Sequence, residues 1–204
     1  LRRLFDKQIQ LIILMQAIST LFKEVLLLKS IIHVDERGSF SENYQCLNFI
    51  KATGIKINFC QDNLTYSKKG VLRGLHYQLY PHTQSKLVSV IQGTVLDVVV
   101  DIRKGSPTFG KHFTQELSDQ NQLQLFIPRG FAHGYITLSE TSIFHYKVDN
   151  YHHPQSEGSI APNDSELGID WIVPEKEWIQ SDKDRKHPIL KNAVLFDYKK
   201  NLYV

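Results

Sequence analysis

The chain of 204 residues has only two cysteines, one methionine and two tryptophans, and lacks any long run of like charge. Each scarcity excludes something. Cys46 and Cys60 are too few and too irregularly placed for a disulfide scaffold or a thiolate metal centre, and read as reduced thiols of a cytoplasmic protein. A net charge of +3 with no basic tract gives no electrostatic footprint for nucleic acid or a membrane surface, and suits a small anionic ligand better. Leu11-Ile-Ile-Leu-Met15 is too short for a membrane span. With Leu1-Arg-Arg it superficially resembles a secretory signal, but Asp6, Gln8, Gln10 and Gln16 interrupt the pattern. Met15 opens a segment that reads well as a protein start, so residues 1–14 are expected to be an upstream extension outside the fold. The remainder, 15–204, is long enough for one packed core and short for two, and is expected to be a single domain.

What the chain does have is short β-rich runs cut by turns. Leu87–Ile91 and Thr94–Val100 flank Gln92-Gly93, which reads as a hairpin. Leu123, Leu125 and Ile127 alternate with their neighbours until Pro128-Arg-Gly130 stops the strand. Ser142, Phe144, Tyr146 and Val148 share one face of the next. Plausible helix is confined to the first thirty residues and the stretch after Trp171, and no alternation of strands with long helices suggests a parallel sheet. The economical reading is all-β, an antiparallel sandwich or barrel. Residues 152–163, with Pro154, Gly158 and Pro162, read as a long surface loop of the kind that borders pockets.

The most informative stretch is Gly70-Val-Leu-Arg-Gly-Leu-His-Tyr-Gln78. A regular strand would aim Arg73 and His76, three apart, at opposite faces. Gly74 between them invites a bulge, which would put a cation and an imidazole in one pocket. A basic strand edge with a hydrogen-bonded histidine is the competing reading. Lys86 opens an apolar strand and is costly to bury without an anion. Tyr146 sits on an inward face, where its hydroxyl needs a partner or a task. His133 follows a strand-ending turn. These four, with Arg37, Arg73 and a carboxylate, are the candidates for chemistry.

Asp35-Glu-Arg-Gly38, Gln61-Asp-Asn63, the Gly70–Gln78 run, Lys86-Leu-Val88, Val100-Asp-Ile-Arg-Lys-Gly-Ser-Pro-Thr-Phe-Gly110, Ile127-Pro-Arg-Gly-Phe-Ala-His-Gly134 and Leu167-Gly-Ile-Asp-Trp171 occur in that order. Together they resemble the dTDP-4-dehydrorhamnose 3,5-epimerase family over roughly residues 25–190. The resemblance implies a cupin-type antiparallel β jelly roll with short peripheral helices. It also implies a homodimer with exchanged N-terminal strands and a nucleotide-linked 4-keto-6-deoxy sugar as substrate. It places the proton-abstracting base at His76, the proton donor at Tyr146, and the carboxylate that orients His76 at Asp184. Lys86 and His133 match groups beside the sugar. Arg37, Glu42, Gln61, Asn63, Arg73 and Glu157 match nucleotide and diphosphate contacts, and Lys183 pairs with Asp184 in the matching motif. Tyr151 is kept, but His152 stands where the family commonly has a second tyrosine stacking on thymine.

The chemistry fits those residue types. Removing a hydrogen alpha to a ketone needs a cation or donor placed beforehand for the enolate oxygen, as Lys86 and His133 could supply. A histidine with a carboxylate partner suits the base, and inversion needs an acid on the opposite face. Arg37 and Arg73 suit a diphosphate. A metal-dependent cupin is the competing class, but Gln78 and Lys86 occupy positions where its ligands would stand, so neither metal nor cofactor is expected. The same residues would also serve a 3- or 5-only epimerase, a ketoisomerase, or a cupin that binds a sugar nucleotide without turning it over.

Overall fold

The computed structural model describes residues 15–203, so the expected extension at 1–14 lies outside the described residues. In chain order the strands are β1 (Met15–Ser19), β2 (Leu26–Ser30), β3 (Ile32–Asp35), β4 (Gly38–Ser41), β5 (Gln61–Lys68), β6 (Leu72–Gln78), β7 (Lys86–Gln92) and β8 (Thr94–Asp101). They continue with β9 (Arg103–Lys104), β10 (His112–Ser118), β11 (Leu123–Ile127), β12 (Phe131–Thr137), β13 (Thr141–Val148), β14 (Glu157–Ser159) and β15 (Phe196–Asp197). One helix, α1 (Cys46–Thr53), and four single-turn 3₁₀ segments complete the described elements. No helix among the described residues is long and apolar enough to cross a membrane.

Two antiparallel sheets face each other, as expected for a jelly roll. The larger has the order β1-β2-β11-β7-β13-β5 and the smaller β10-β8-β12-β6-β14. Inward side chains of both, including Val88, Val90, Val99, Leu125, Ile127 and Phe144, form the core between them. The smaller sheet is covered on its other face too, where Leu75, Tyr77, Val98 and Val100 pack against Trp171, Leu190 and Phe196 of the C-terminal segment. A strand buried on both faces reads as a near-continuous apolar run, and β8 shows this, interrupted at Asp97. The larger sheet is covered only in part. Phe49 of α1 packs on Leu28, Leu87 and Phe126, while Leu64, Tyr66 and Ile91 stay exposed.

Three local readings are corrected. The run around Gln92-Gly93 is not a hairpin, because β7 and β8 belong to opposite sheets. Gly93, at φ 83°, turns the chain from one sheet to the other, and a Cβ there would collide with the Thr141 carbonyl oxygen. The first described segment is β1 and β2 rather than helix. The helix sits instead at α1, where Gln45 accepts from the Asn48 backbone N–H and Gly54 closes the end at φ 74°. After Trp171 there are only 3₁₀ turns and the two-residue β15, and the loop at 152–163 contains β14, which pairs with β6.

Candidate active site

The bulge expected at Gly74 is present. On β6 His76 pairs with His133 of β12 and Arg73 with Tyr135, so two residues, Gly74 and Leu75, oppose Gly134 alone. Gly74 has φ 134°, and a Cβ there would stand 2.5 Å from the Gly134 Cα. The extra residue sends Leu75 into the outer core while Arg73 and His76 both reach the space between the sheets.

That space is a cavity of about 480 Å³. The smaller sheet contributes Arg73, His76 and His133, and the larger contributes Lys86 and Tyr146. The C-terminal segment closes one side with Ser181 and Asp184. His76 and Tyr146 thus enter from facing sheets.

His76 Nε2 lies 3.2 Å from Asp184 Oδ1. With the ring proton on Nε2, it donates to the carboxylate and leaves Nδ1 as the free acceptor. Burial alone would raise the Asp184 carboxyl, but the hydrogen bond and charge of His76, with Ser181 and His187, hold it below the usual range. Lys86 donates to the His76 carbonyl oxygen at 3.5 Å. Burial pushes its ammonium down to about 8, against the opposing pull of Asp97 and Glu157. His133 Nε2 is 2.8 Å from Asp97 Oδ2, and burial keeps this imidazole below its ordinary range despite that partner. Burial also raises the Tyr146 hydroxyl, which stays protonated at neutral pH. Such a phenol can give a proton but is a poor anion.

The remaining expected residues fall into three places. Gln61, Asn63 and His152 line a hollow of about 290 Å³ that shares Tyr146 with the main cavity. Gln61 donates to Asn63 at 2.8 Å and accepts from the His152 backbone N–H at 3.3 Å. Tyr151 is exposed beside it. Glu157 of β14 is ion-paired with Lys183, and that pair, after the contrary effect of burial, lowers the Glu157 carboxyl. Arg37 and Glu42 are not brought to the cavity of their own chain. Arg37 sits on the β3–β4 hairpin, bound to Asp35 at 2.6 Å, and Glu42 accepts from Asn48.

The metal ligand set usual in cupins does not fit these residues. Gln78 is held by the His153 backbone N–H, Lys86 brings a positive charge, and His133 is engaged by Asp97.

Two neighbours of the cavity carry little signal in the sequence. Asp97 stands alone in an apolar strand and is fully buried, which requires a partner. His187 lies three residues after Asp184 across a 3₁₀ turn, a spacing that puts both side chains on one side.

The sequence profile described as dTDP-4-dehydrorhamnose 3,5-epimerase matches residues 19–192. The chain is 48% identical over 182 residues to dTDP-4-dehydrorhamnose 3,5-epimerase of Salmonella typhimurium, covering 89% of this chain and 99% of that one. The crystal structure of dTDP-6-deoxy-D-glucose-3,5-epimerase from Legionella pneumophila, in complex with dTDP-4-keto-L-rhamnose, superposes with a TM-score of 0.87 at 45% identity, over 91% of this chain and all of that one. That of dTDP-4-dehydrorhamnose 3,5-epimerase from Elizabethkingia anophelis gives 0.84 at 47% identity, over 88% and 98%. With these identities sustained over nearly its whole length, the chain belongs to the dTDP-4-dehydrorhamnose 3,5-epimerase family.

Proposed function

We propose that the protein epimerises C3 and C5 of dTDP-4-dehydro-6-deoxyglucose to give dTDP-4-dehydrorhamnose, without a cofactor, as a cytoplasmic homodimer of dTDP-rhamnose biosynthesis. The observation that carries this reading is a base and an acid on opposite walls of one cavity: His76 with Asp184 from one sheet, Tyr146 from the other. His76 takes the hydrogen alpha to the ketone through Nδ1, and Asp184 stabilises the imidazolium that forms. Lys86 offers its charge to the enolate oxygen in a partly dehydrated site, with His133 held beside it by Asp97. Tyr146 returns a proton from the far side. Arg73 suits the diphosphate. Gln61, Asn63, Tyr151 and His152 form the end where the base would lie, with Glu157 and Lys183 at the rim.

Arg37 and Glu42 lie away from their own cavity, and the outer face of the larger sheet exposes Leu64, Tyr66 and Ile91. Both features suit a second copy that covers this face and receives the N-terminal hairpin. The test is direct: purified protein incubated with dTDP-4-dehydro-6-deoxyglucose should yield a product whose C3 and C5 are both inverted by NMR. Inversion at one carbon would make it a single-site epimerase, and unchanged substrate would overturn the reading.

A further inference from the structure

Outside the proposed chemistry, a third titratable side chain, His187, adjoins the His76–Asp184 dyad. Its side chain is 3% exposed, and although the Gly74 and Ile160 backbones lie against the ring, neither ring nitrogen reaches well-formed hydrogen-bond geometry. Its Nε2 faces Asp184 Oδ1 at 3.5 Å, the same oxygen that His76 Nε2 approaches at 3.2 Å. The two imidazoles meet edge to face, 5.1 Å between centroids. One ligand atom from each of His76, Asp184 and His187 lies within 4.8 Å of the ligand atoms of the two partners.

Two ligands held at ~2.05 Å by a tetrahedral ion stand about 3.3 Å apart. Two of the three separations, 3.2 and 3.5 Å, match that edge, and the third lies within 4.8 Å. Two imidazoles and one carboxylate are also the donor set that Zn²⁺ and its neighbours prefer. His76 and Asp184 line the cavity while His187 stands behind them, so an ion could arrive from the cavity and keep a fourth position open toward it. We infer that His76, Asp184 and His187 form an inhibitory site for a divalent transition metal, in which His187 is the ligand that the proposed epimerisation does not need.

The inhibition follows from proton placement, and to that extent it rests on the function proposed above. In the metal-free dyad, an Nε2–H donated to Asp184 leaves Nδ1 of His76 as the acceptor. A metal ion takes the Nε2 lone pair, so the ring's one proton moves to Nδ1. Nothing is oxidised or reduced, and no proton is lost from the ring. His76 can then no longer accept from the substrate, and Asp184 is no longer free to stabilise the imidazolium. The ion also gives the His187 ring a well-aligned partner.

The probe is Zn²⁺, with Co²⁺ as its spectroscopic substitute, added to metal-stripped full-length protein in a non-chelating buffer without substrate. Binding should appear as the intense visible absorption of tetrahedral Co²⁺, displaced by Zn²⁺, and anomalous diffraction should place the ion on the three named atoms. Turnover should fall on adding Zn²⁺ and recover with EDTA. The Zn²⁺ affinity of His187→Leu should drop at least ~10-fold, the smallest loss expected when even an outer-shell partner of a metal ligand is removed. No Co²⁺ spectrum, an ion located elsewhere, or equal Zn²⁺ affinity in His187→Leu would overturn the inference. Because binding is read without substrate, failure of the epimerase assignment would leave these results standing on their own.

Discussion

Lys86→Met separates what the cavity needs for chemistry from what it needs to fold. Burial lowers the Lys86 ammonium from its ordinary 10.5 to about 8. That gap corresponds to an order-of-magnitude cost of about 3 kcal/mol for holding the charge in the folded protein at pH 7. The sign is fixed by linkage. Between pH 8 and 10.5 the unfolded chain binds the proton more tightly than the folded one, so stability rises with pH across that window and the full cost is present below it. Methionine has a similar volume and no charge, so Lys86→Met should be more stable than the wild type at pH 7 by up to about 3 kcal/mol. The difference should shrink toward pH 10.5. Urea unfolding followed by the fluorescence of Trp171 and Trp178 at pH about 7 and about 10 measures both. Turnover of the same variant should drop by about 10²- to 10³-fold, the size of losing one preorganised oxyanion partner. A variant less stable at pH 7, or a stability difference that ignores pH, would refute the account of Lys86.

The remaining predictions concern the proton transfers. His76→Ala should lower turnover by at least ~10²-fold with little change in dTDP affinity by calorimetry, and near-normal turnover would remove the base. Tyr146→Phe keeps the shape of the wall but deletes the acid, so solvent exchange at the first carbon should persist while inverted product falls by ~10² or more. Equal losses would mean that Tyr146 supports the enolate instead. Turnover should also decline above pH about 8 as Lys86 loses its proton, a limb that the already crippled Lys86→Met variant should not show.

Much of this is legible in the sequence because the relevant signals are local. Gly74 marks a bulge, and the bulge turns Arg73 and His76 to one face. Alternation in β11 and β13 identifies the inward set that includes Phe144 and Tyr146. What local pattern cannot specify is which strands pair. Gln92-Gly93 carries a hairpin signal, yet the flanking strands are claimed by partners far along the chain, β7 by β11 and β13, β8 by β10 and β12. The short α1 is amphipathic over only two turns, too few for a clear helical period, although Gln45 and Gly54 mark its ends. β14 is hidden because three residues of strand have no period to read; its register comes from β6, and Gly158 is needed where a Cβ would collide with the Tyr77 ring. Asp97 and His187 acquire meaning only when the fold sets them beside His133 and Asp184.

In the proposed reaction one base and one opposed acid act at two carbons flanking the same ketone. Counting deuterium in the product formed from dTDP-4-dehydro-6-deoxyglucose in D₂O tests it most directly, by NMR and mass spectrometry together. Solvent deuterium is expected at both C3 and C5 of an inverted product, with both labels lost in His76→Ala. A single label would contradict the two-carbon reaction, and two labels that survive in His76→Ala would contradict the base.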